Sequence, residues 1–113
     1  YAVMKNAMID SKKAYVHFAE EVQKHGADGI VIGAPSGKNH ITLAEISDVK
    51  NIVTDACVLV PGIGAQGGEL KPLIDMYDDR VIANVGRAIM YADDVAGEAK
   101  KYKELINGLR KKS

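Results

Sequence analysis

The chain has 113 residues, in which fifteen basic and fifteen acidic side chains cancel, and it contains one cysteine. This length supports one domain with a hydrophobic core, and nothing in the balanced net charge points to nucleic acid or an anionic membrane as a partner. The single cysteine excludes an internal disulfide and no apolar run approaches the roughly 18 residues of a membrane span, so we expect a cytoplasmic protein that binds neither nucleic acid nor membrane.

The predicted secondary structure alternates strands with helices from the first residue onward. Apolar runs rich in β-branched residues predict strands at 1–4, 29–33, 56–60 and 81–85. Apolar residues at helical spacing predict helices at 11–25, 41–49, 70–76 and 93–109, with a short helical turn at 88–91. Because the chain opens on a strand without an initiator Met, we expect a segment on its N-terminal side to be missing.

Local residues define the first helix and the burial of the strands. We predict Asp10 or Ser11 as the N-cap of the first helix and Gly26 as its C-cap. The second strand, 29–33, is predicted to be fully buried because it is apolar throughout. Cys57, beside the third strand, is predicted to be a small buried hydrophobe.

Two later helices also carry specific predictions. The helix at 41–49 is predicted to turn Leu43, Ala44 and Ile46 toward the core. The pair Asp93-Asp94 is predicted to cap the start of the last helix.

Four strand-helix units in succession predict an α/β fold, with a parallel sheet covered by helices. Four units form either a small open sheet or half of an eight-unit barrel. We favour the half barrel for two reasons. The glycine-containing loops follow the carboxyl ends of strands, and the residues suited to binding phosphate, Gln66 and Arg87, follow the last two strands. The prediction is a single domain over residues 1–113 that contributes the C-terminal four βα units of a (β/α)8 TIM barrel.

Two junctions between a strand and its following loop predict a phosphate site. The first is Val60-Pro61-Gly62-Ile63-Gly64-Ala65-Gln66-Gly67-Gly68, continuing through Glu69 and Leu70. The second is Val85-Gly86-Arg87. Glycine lets backbone N–H groups approach a ligand, an amide donates hydrogen bonds, and a guanidinium adds a planar charged fork. Gln66, Gly86 and Arg87 are therefore predicted to hold one phosphate.

These glycine-containing segments together resemble a known family. The segment from Val60 to Gly68, followed by Val85-Gly86-Arg87-Ala88-Ile89 and a tyrosine-containing turn, resembles the C-terminal half of orotidine 5′-phosphate decarboxylase. Ala34-Pro35-Ser36 after the second strand is similar to the compact microbial and archaeal members of that family. The resemblance covers nearly all of the chain in order and spacing. Pro-Gly-Ile-Gly-Ala-Gln-Gly-Gly is the specific part, because many phosphate-binding barrels contain a Val-Gly-Arg.

The resemblance implies a decarboxylase of pyrimidine biosynthesis that needs no cofactor and converts orotidine monophosphate to uridine monophosphate and CO2. It implies that Gln66 and Arg87 grip the 5′-phosphate, that Gly86 supplies a backbone N–H, and that the loop over 60–70 closes on the nucleotide. Ser36 falls on a matching loop and is expected to line the pocket.

The residues that would perform the chemistry are not found in this chain. The family's catalytic array, Lys…Asp-x-Lys-x-x-Asp, belongs to the first half of the barrel. Asp10-Ser11-Lys12 echoes it, but Tyr15 stands where the last aspartate is needed and the triplet opens a predicted helix, so we assign no catalytic residue here. The loop Lys5-Asn6-Ala7-Met8 is shorter than the family's serine and Pro-Gly-Ala segment, so base recognition is not assigned.

The expected partners follow from the same resemblance. We expect the chain to bind orotidine monophosphate and uridine monophosphate, to pair with the N-terminal half of the same barrel, and to form a homodimer. Alone, it is expected to be inactive and not to persist as a stable monomer, because half a barrel leaves sheet edges and an apolar sheet face open.

Other readings of the sequence concern metals and related functions. His17, His25 and His40 share no metal-ligand spacing with one another or with Cys57, so no metal is expected. A sugar-phosphate decarboxylase or synthase of the same barrel superfamily is an alternative, although a site that binds only phosphate needs no Gln-Gly-Gly loop. A half-barrel module that binds phosphorylated ligands without catalysis is a third possibility.

Overall fold

The computed structural model describes residues 5–37, 41–64 and 69–110; the predicted strand at 1–4 and His40 lie outside these ranges. The helices within them are α1 (Ala14–His25), α2 (Leu43–Ile52), α3 (Lys71–Tyr77), α4 (Arg87–Met90) and α5 (Val95–Arg110), with a 3-10 helix at Asp78–Arg80. The strands of the same ranges are β1 (Met8–Ile9), β2 (Lys12–Lys13), β3 (Gly29–Val31), β4 (Cys57–Val60) and β5 (Val81–Ala83). From residue 29 onward the predicted alternation of strands and helices is confirmed.

The centre of the fold is a parallel sheet in the order β3-β4-β5. Val58 of β4 is in register with Ile30 on one side and Val81 on the other. Because parallel neighbours need a crossover, α2 connects β3 to β4 and α3 connects β4 to β5. The prediction of a parallel sheet with helices packed on it is confirmed.

One face of the sheet carries the hydrophobic core. Val58 and Val60 are fully buried there, against Ile46 of α2 and Leu73 of α3. Each such side chain contributes about 1.5–3 kcal/mol through removal from water. Tyr77 closes this core at the end of α3, where its buried hydroxyl donates a 3.3 Å hydrogen bond to the Ile46 carbonyl.

The opposite face of the sheet is uncovered among the described residues. Val31, Leu59 and Ile82 stand side by side across the three strands, and 66%, 37% and 54% of their surfaces are exposed. The prediction of a fully buried strand at 29–33 was therefore wrong. Cys57, two residues before Leu59, is also exposed rather than buried. Both predictions assumed a second covering layer, and the described residues supply only one.

A hairpin of β1 and β2 stands where the first helix was predicted to begin. Asp10 and Ser11 have φ values of 47° and 66°, as the two central residues of a type I′ turn do. Neither residue caps α1, which begins after Lys13 without a side-chain cap, so the predicted N-cap was wrong. The C-cap prediction is confirmed, because Gly26 adopts φ 62° and donates its N–H to the last turn.

The start of α2 differs from the prediction in its register. The Thr42 hydroxyl accepts a hydrogen bond from the Glu45 N–H at 3.2 Å, and the Glu45 carboxylate accepts one from the Thr42 N–H at 3.3 Å, forming a capping box. This box starts the helix two residues late and turns Glu45 and Ile46 inward. Ile46 is buried as predicted, whereas Leu43 and Ala44 are exposed.

The last helix, α5, is capped as the sequence predicts, and its C-terminal half packs on the core. The Asp94 carboxylate accepts a 3.0 Å hydrogen bond from the Gly97 N–H, which confirms the predicted cap. Tyr102, Ile106 and Leu109 pack against the core on the face of α5 that meets the sheet layer. None of the helices in the described ranges has the length and apolar character needed to cross a membrane.

Candidate functional site

The tips of β4 and β5 lie side by side at the carboxyl edge of the sheet. Val60 is in register with Ala83, and the Asn84 N–H donates a 3.0 Å hydrogen bond to the Val60 carbonyl. The two segments predicted to bind phosphate, 61–70 and 85–87, therefore leave the sheet from adjacent positions. These adjacent starting points allow both segments to reach a single anion.

The segment after β4 begins with a backbone conformation that depends on glycine. Gly62 and Gly64 have φ values of 89° and 82°, in the left-handed region that other residues rarely adopt. Between them Ile63 is buried in the core and anchors the segment to the sheet layer. Ala65, Gln66, Gly67 and Gly68 lie outside the described residues, so the role of Gln66 stays a prediction.

The far end of this segment is tied to the loop that follows β3. The Glu69 N–H donates a 2.9 Å hydrogen bond to the Pro35 carbonyl, and the Ala34 N–H donates a 3.1 Å bond to the Pro61 carbonyl. Leu70 is then buried in the core. The loop that carries Ser36 thus runs beside both ends of segment 61–70. Ser36 is half-buried, and its role in lining a pocket stays a prediction.

The segment after β5 turns directly into α4. The Gly86 carbonyl accepts hydrogen bonds from the Ile89 and Met90 N–H groups, both at 3.0 Å. Space is open where a side chain at Gly86 would point. Arg87 is exposed, and within the described ranges its guanidinium forms no hydrogen bond or ion pair. An unpaired guanidinium beside an open glycine backbone is suited to a phosphate group.

The two segments touch at Gly64. A Cβ built on Gly64 would lie 3.0 Å from the Ala88 Cβ and 2.8 Å from the Tyr102 hydroxyl oxygen, so the contact requires glycine. Gln66 follows Gly64 by two residues and Arg87 directly precedes Ala88. The two segments are therefore in contact two residues before Gln66 and one residue after Arg87. Tyr102 was not predicted at this contact, because the sequence pattern does not distinguish it from the other apolar positions of the last helix.

Both histidines of the described ranges lie on α1. His17 packs edge to face on Phe18, and His25 lies 3.1 Å from the Glu21 carboxylate. The described residues contain no group of three or more His, Cys, Asp or Glu side chains that could hold a metal ion.

Two tyrosines have raised pKa values, and both connect helices. The hydrogen bond to Asp48, with burial in addition, raises the pKa of Tyr15 to about 12 and ties α1 to α2. Burial raises the pKa of Tyr77 to about 12, against a smaller opposing effect of Arg80. Both phenols are neutral at physiological pH and lie outside the two glycine segments, so neither is a candidate acid or base.

Known proteins with similar sequences and structures are orotidine 5′-phosphate decarboxylases. The enzyme of that name from Methanocaldococcus jannaschii is 37% identical over 89 residues, which cover 79% of this chain and 38% of that protein. A crystal structure of orotidine 5′-monophosphate decarboxylase from the same organism, complexed with the inhibitor BMP, is 32% identical with a TM-score of 0.66, covering 81% of this chain and 40% of that one. Leishmania donovani UMP synthase superposes with a TM-score of 0.78 at 28% identity, covering 96% of this chain and 25% of that one.

These matches cover most of this chain and less than half of each known protein. No family model matches the sequence. The chain spans 38% of the length of the Methanocaldococcus relative and 39% of that of the enzyme of the same name from Roseiflexus castenholzii. The resemblance predicted from the glycine-containing segments is therefore confirmed, since this chain is similar in sequence and in fold to part of the orotidine 5′-phosphate decarboxylases.

Proposed function

We propose that this chain is the C-terminal, phosphate-binding half of an orotidine 5′-phosphate decarboxylase. The complete protein is then a (β/α)8 barrel that converts orotidine monophosphate to uridine monophosphate and CO2 in pyrimidine biosynthesis. The observation that carries this proposal is the contact of Gly64 with Ala88, which joins the two glycine segments at one edge of the sheet. The similarity to decarboxylases supplies the reaction class.

In this proposal the chain grips the phosphate and leaves the chemistry to the other half. The Arg87 guanidinium, the Gln66 amide and the Gly86 N–H hold the 5′-phosphate, and the loop over 60–70 closes on the nucleotide. Each charge-assisted hydrogen bond contributes about 1.5–3 kcal/mol. Because the phosphate is remote from the reacting carbon, this binding energy is available to position the pyrimidine for reaction.

The reacting groups are expected in the N-terminal half. Loss of CO2 leaves an electron pair on the pyrimidine carbon, and the lysine of the Lys…Asp-x-Lys-x-x-Asp array is the expected proton donor. Aspartates of the same array act against the substrate carboxylate, since like charges in a closed site raise the energy of the ground state. No cofactor is required in this scheme. The chain alone is expected to be inactive.

The uncovered face of the sheet fits a missing half of the barrel. Val31, Leu59 and Ile82 form an apolar row across all three strands of the parallel sheet. An N-terminal half would cover this row and pair with the open strand edges. A homodimer of the complete enzyme and a location in the cytoplasm remain predictions.

A split-enzyme assay tests the proposal. This chain is mixed with a separate N-terminal half of the Methanocaldococcus relative, and loss of orotidine monophosphate is measured with formation of uridine monophosphate. We expect activity from the mixture and none from either part alone. Arg87→Ala should reduce that activity, whereas the control Lys24→Ala, which removes a cation from the far end of α1, should not. A stable complex without decarboxylation would refute the proposal and favour a module that only binds phosphorylated ligands.

A further inference from the structure

The position of Tyr102 is set by the packing of α5. Ile106 and Leu109 pack against the core, and the Arg110 guanidinium donates a 2.5 Å hydrogen bond to the Val81 carbonyl at the start of β5. Tyr102 lies eight residues earlier, which is about 12 Å along a helix and matches the length of a four-residue strand. Because α5 is fixed at the amino edge of the sheet by Arg110, Tyr102 lies at the carboxyl edge.

At that edge the Tyr102 side chain packs against Gly64. A Cβ on Gly64 would lie 2.8 Å from the hydroxyl oxygen and 3.4 Å from Cζ of Tyr102, with the Ala88 methyl on the other side. The Tyr102 ring is half-buried against the core, and the Lys101 ammonium lies 6.0 Å from its centroid. What the structure shows between Tyr102 and Gly64 is a close packing contact.

We propose that Tyr102 is a positioning residue of the phosphate site. Its hydroxyl end and the Ala88 methyl form a seat for the Gly64 backbone, and this seat sets the distance between the loop over 60–70 and Arg87. The inference rests on the proposed function and extends it, because it names the contact that holds Gly64 beside the segment of Arg87. Tyr102 touches no phosphate in this scheme and acts through Gly64.

The seat matters because the two phosphate-binding groups lie on separate segments. Arg87 lies in α4 directly before Ala88, whereas Gly64 belongs to the segment after β4 and meets α4 only through its contact with Ala88 and Tyr102. A displacement of about 1 Å in a positioning element is enough to weaken binding and catalysis severely. Removal of the Tyr102 ring would remove its contact with Gly64 and one of the core contacts of α5, while Ile106 and Leu109 would still hold the helix on the core.

Amide hydrogen exchange on this chain tests the seat without any ligand. We expect Tyr102→Ala to raise exchange in peptides covering 61–70 by about tenfold, while peptides of β4 and α3 stay within about twofold of wild type. Tyr102→Phe keeps the ring and should remain near wild type. Ile106→Ala is the matched control, since it removes another half-buried, core-packed side chain from the same helix. Equal exchange of the 61–70 peptides in Tyr102→Ala and Ile106→Ala, or an increase spread evenly over the chain, would overturn the inference.

A second pair of variants tests the contact itself. Gly64→Ala places a methyl group against the Tyr102 hydroxyl and should raise exchange of the same peptides. Adding Tyr102→Phe removes the atom at 2.8 Å and should restore part of the protection, although the Ala88 contact and the positive φ remain. The effects of the two single variants on exchange of the 61–70 peptides give an additive expectation for the double variant. If the double variant matches that expectation, Tyr102 does not form the seat.

Nucleotide titration separates this inference from the proposed function. With the chain paired with an N-terminal half, Tyr102→Ala should raise the dissociation constant of uridine monophosphate about tenfold and leave that of uridine unchanged. If the wild-type protein does not distinguish the two ligands, the proposed phosphate site fails and the exchange data still decide the seat. If it does distinguish them and Tyr102→Ala has no effect on the monophosphate, the positioning role alone is refuted.

Discussion

Substitution of Arg87 by alanine tests the phosphate site with little disturbance of the fold. Arg87 is exposed at the first position of α4, and its guanidinium forms no hydrogen bond or ion pair within the described ranges. Arg87→Ala should therefore change the free energy of unfolding by no more than about 0.5 kcal/mol, as is usual for surface positions. Any large effect on ligand binding then reports a contact with the ligand.

The expected loss follows from the strength of one charge-assisted hydrogen-bonded pair. Such a pair contributes about 1.5–3 kcal/mol, which corresponds to about a 10- to 150-fold higher dissociation constant for uridine monophosphate. Calorimetric titration of this chain paired with an N-terminal half measures that constant. Uridine, which lacks the phosphate, should bind wild type and Arg87→Ala equally well. An unchanged constant for the monophosphate, or an equal loss for uridine, would refute the assignment of Arg87.

Two further predictions concern stability and association. Because the pKa of Tyr77 is raised from 10 to about 12 in the folded chain, its contribution to stability is full below pH 10 and is lost as the pH rises toward 12, at about 1.4 kcal/mol per unit of pKa difference. The free energy of unfolding, measured with urea, should fall more steeply between pH 10 and 12 for wild type than for Tyr77→Phe. Tyr15 contributes the same pH dependence to both proteins, so parallel curves would contradict this prediction. The chain alone should sediment as more than a monomer at micromolar concentration, and Leu59→Ser with Ile82→Ser should reduce that association more than the control Leu105→Ser. A compact wild-type monomer would count against an apolar docking face.

The order of elements was predictable because it depends on local patterns. The β-branched runs around Val58 and Val81 and the helical spacing of the last helix identify the strands and α5 in their correct order. Gly26 was predictable as a cap, since the left-handed conformation at a helix end strongly favours glycine. Asp10 and Ser11 were misassigned because both residue types suit a helix cap and a hairpin turn, and tertiary context selected the turn.

Burial was harder to predict because it depends on what covers each face. Val31 and Cys57 are apolar residues in a parallel sheet, and in a sheet covered on both sides they would be buried. The described residues cover only the face with Val58 and Val60, so Val31 and Cys57 are exposed. Leu43 is exposed because α2 turns Glu45 and Ile46 toward the core instead.

The candidate site was predictable in its residue types and not in its contacts. Glycines and a guanidinium after neighbouring strands indicate an anion site from the sequence alone. The meeting of Gly64 with Ala88 and Tyr102 joins residues far apart in the chain. Its only local sign is a glycine with positive φ, which sequence cannot distinguish from an ordinary turn glycine.

A crystal structure of this chain paired with an N-terminal half and soaked with uridine monophosphate tests the central claim most directly. The account predicts that the Gln66 amide and the Arg87 guanidinium both lie within hydrogen-bond distance of one phosphoryl group. Side chains on opposite faces of the sheet edge, or a nucleotide bound with its phosphate away from both, would contradict it.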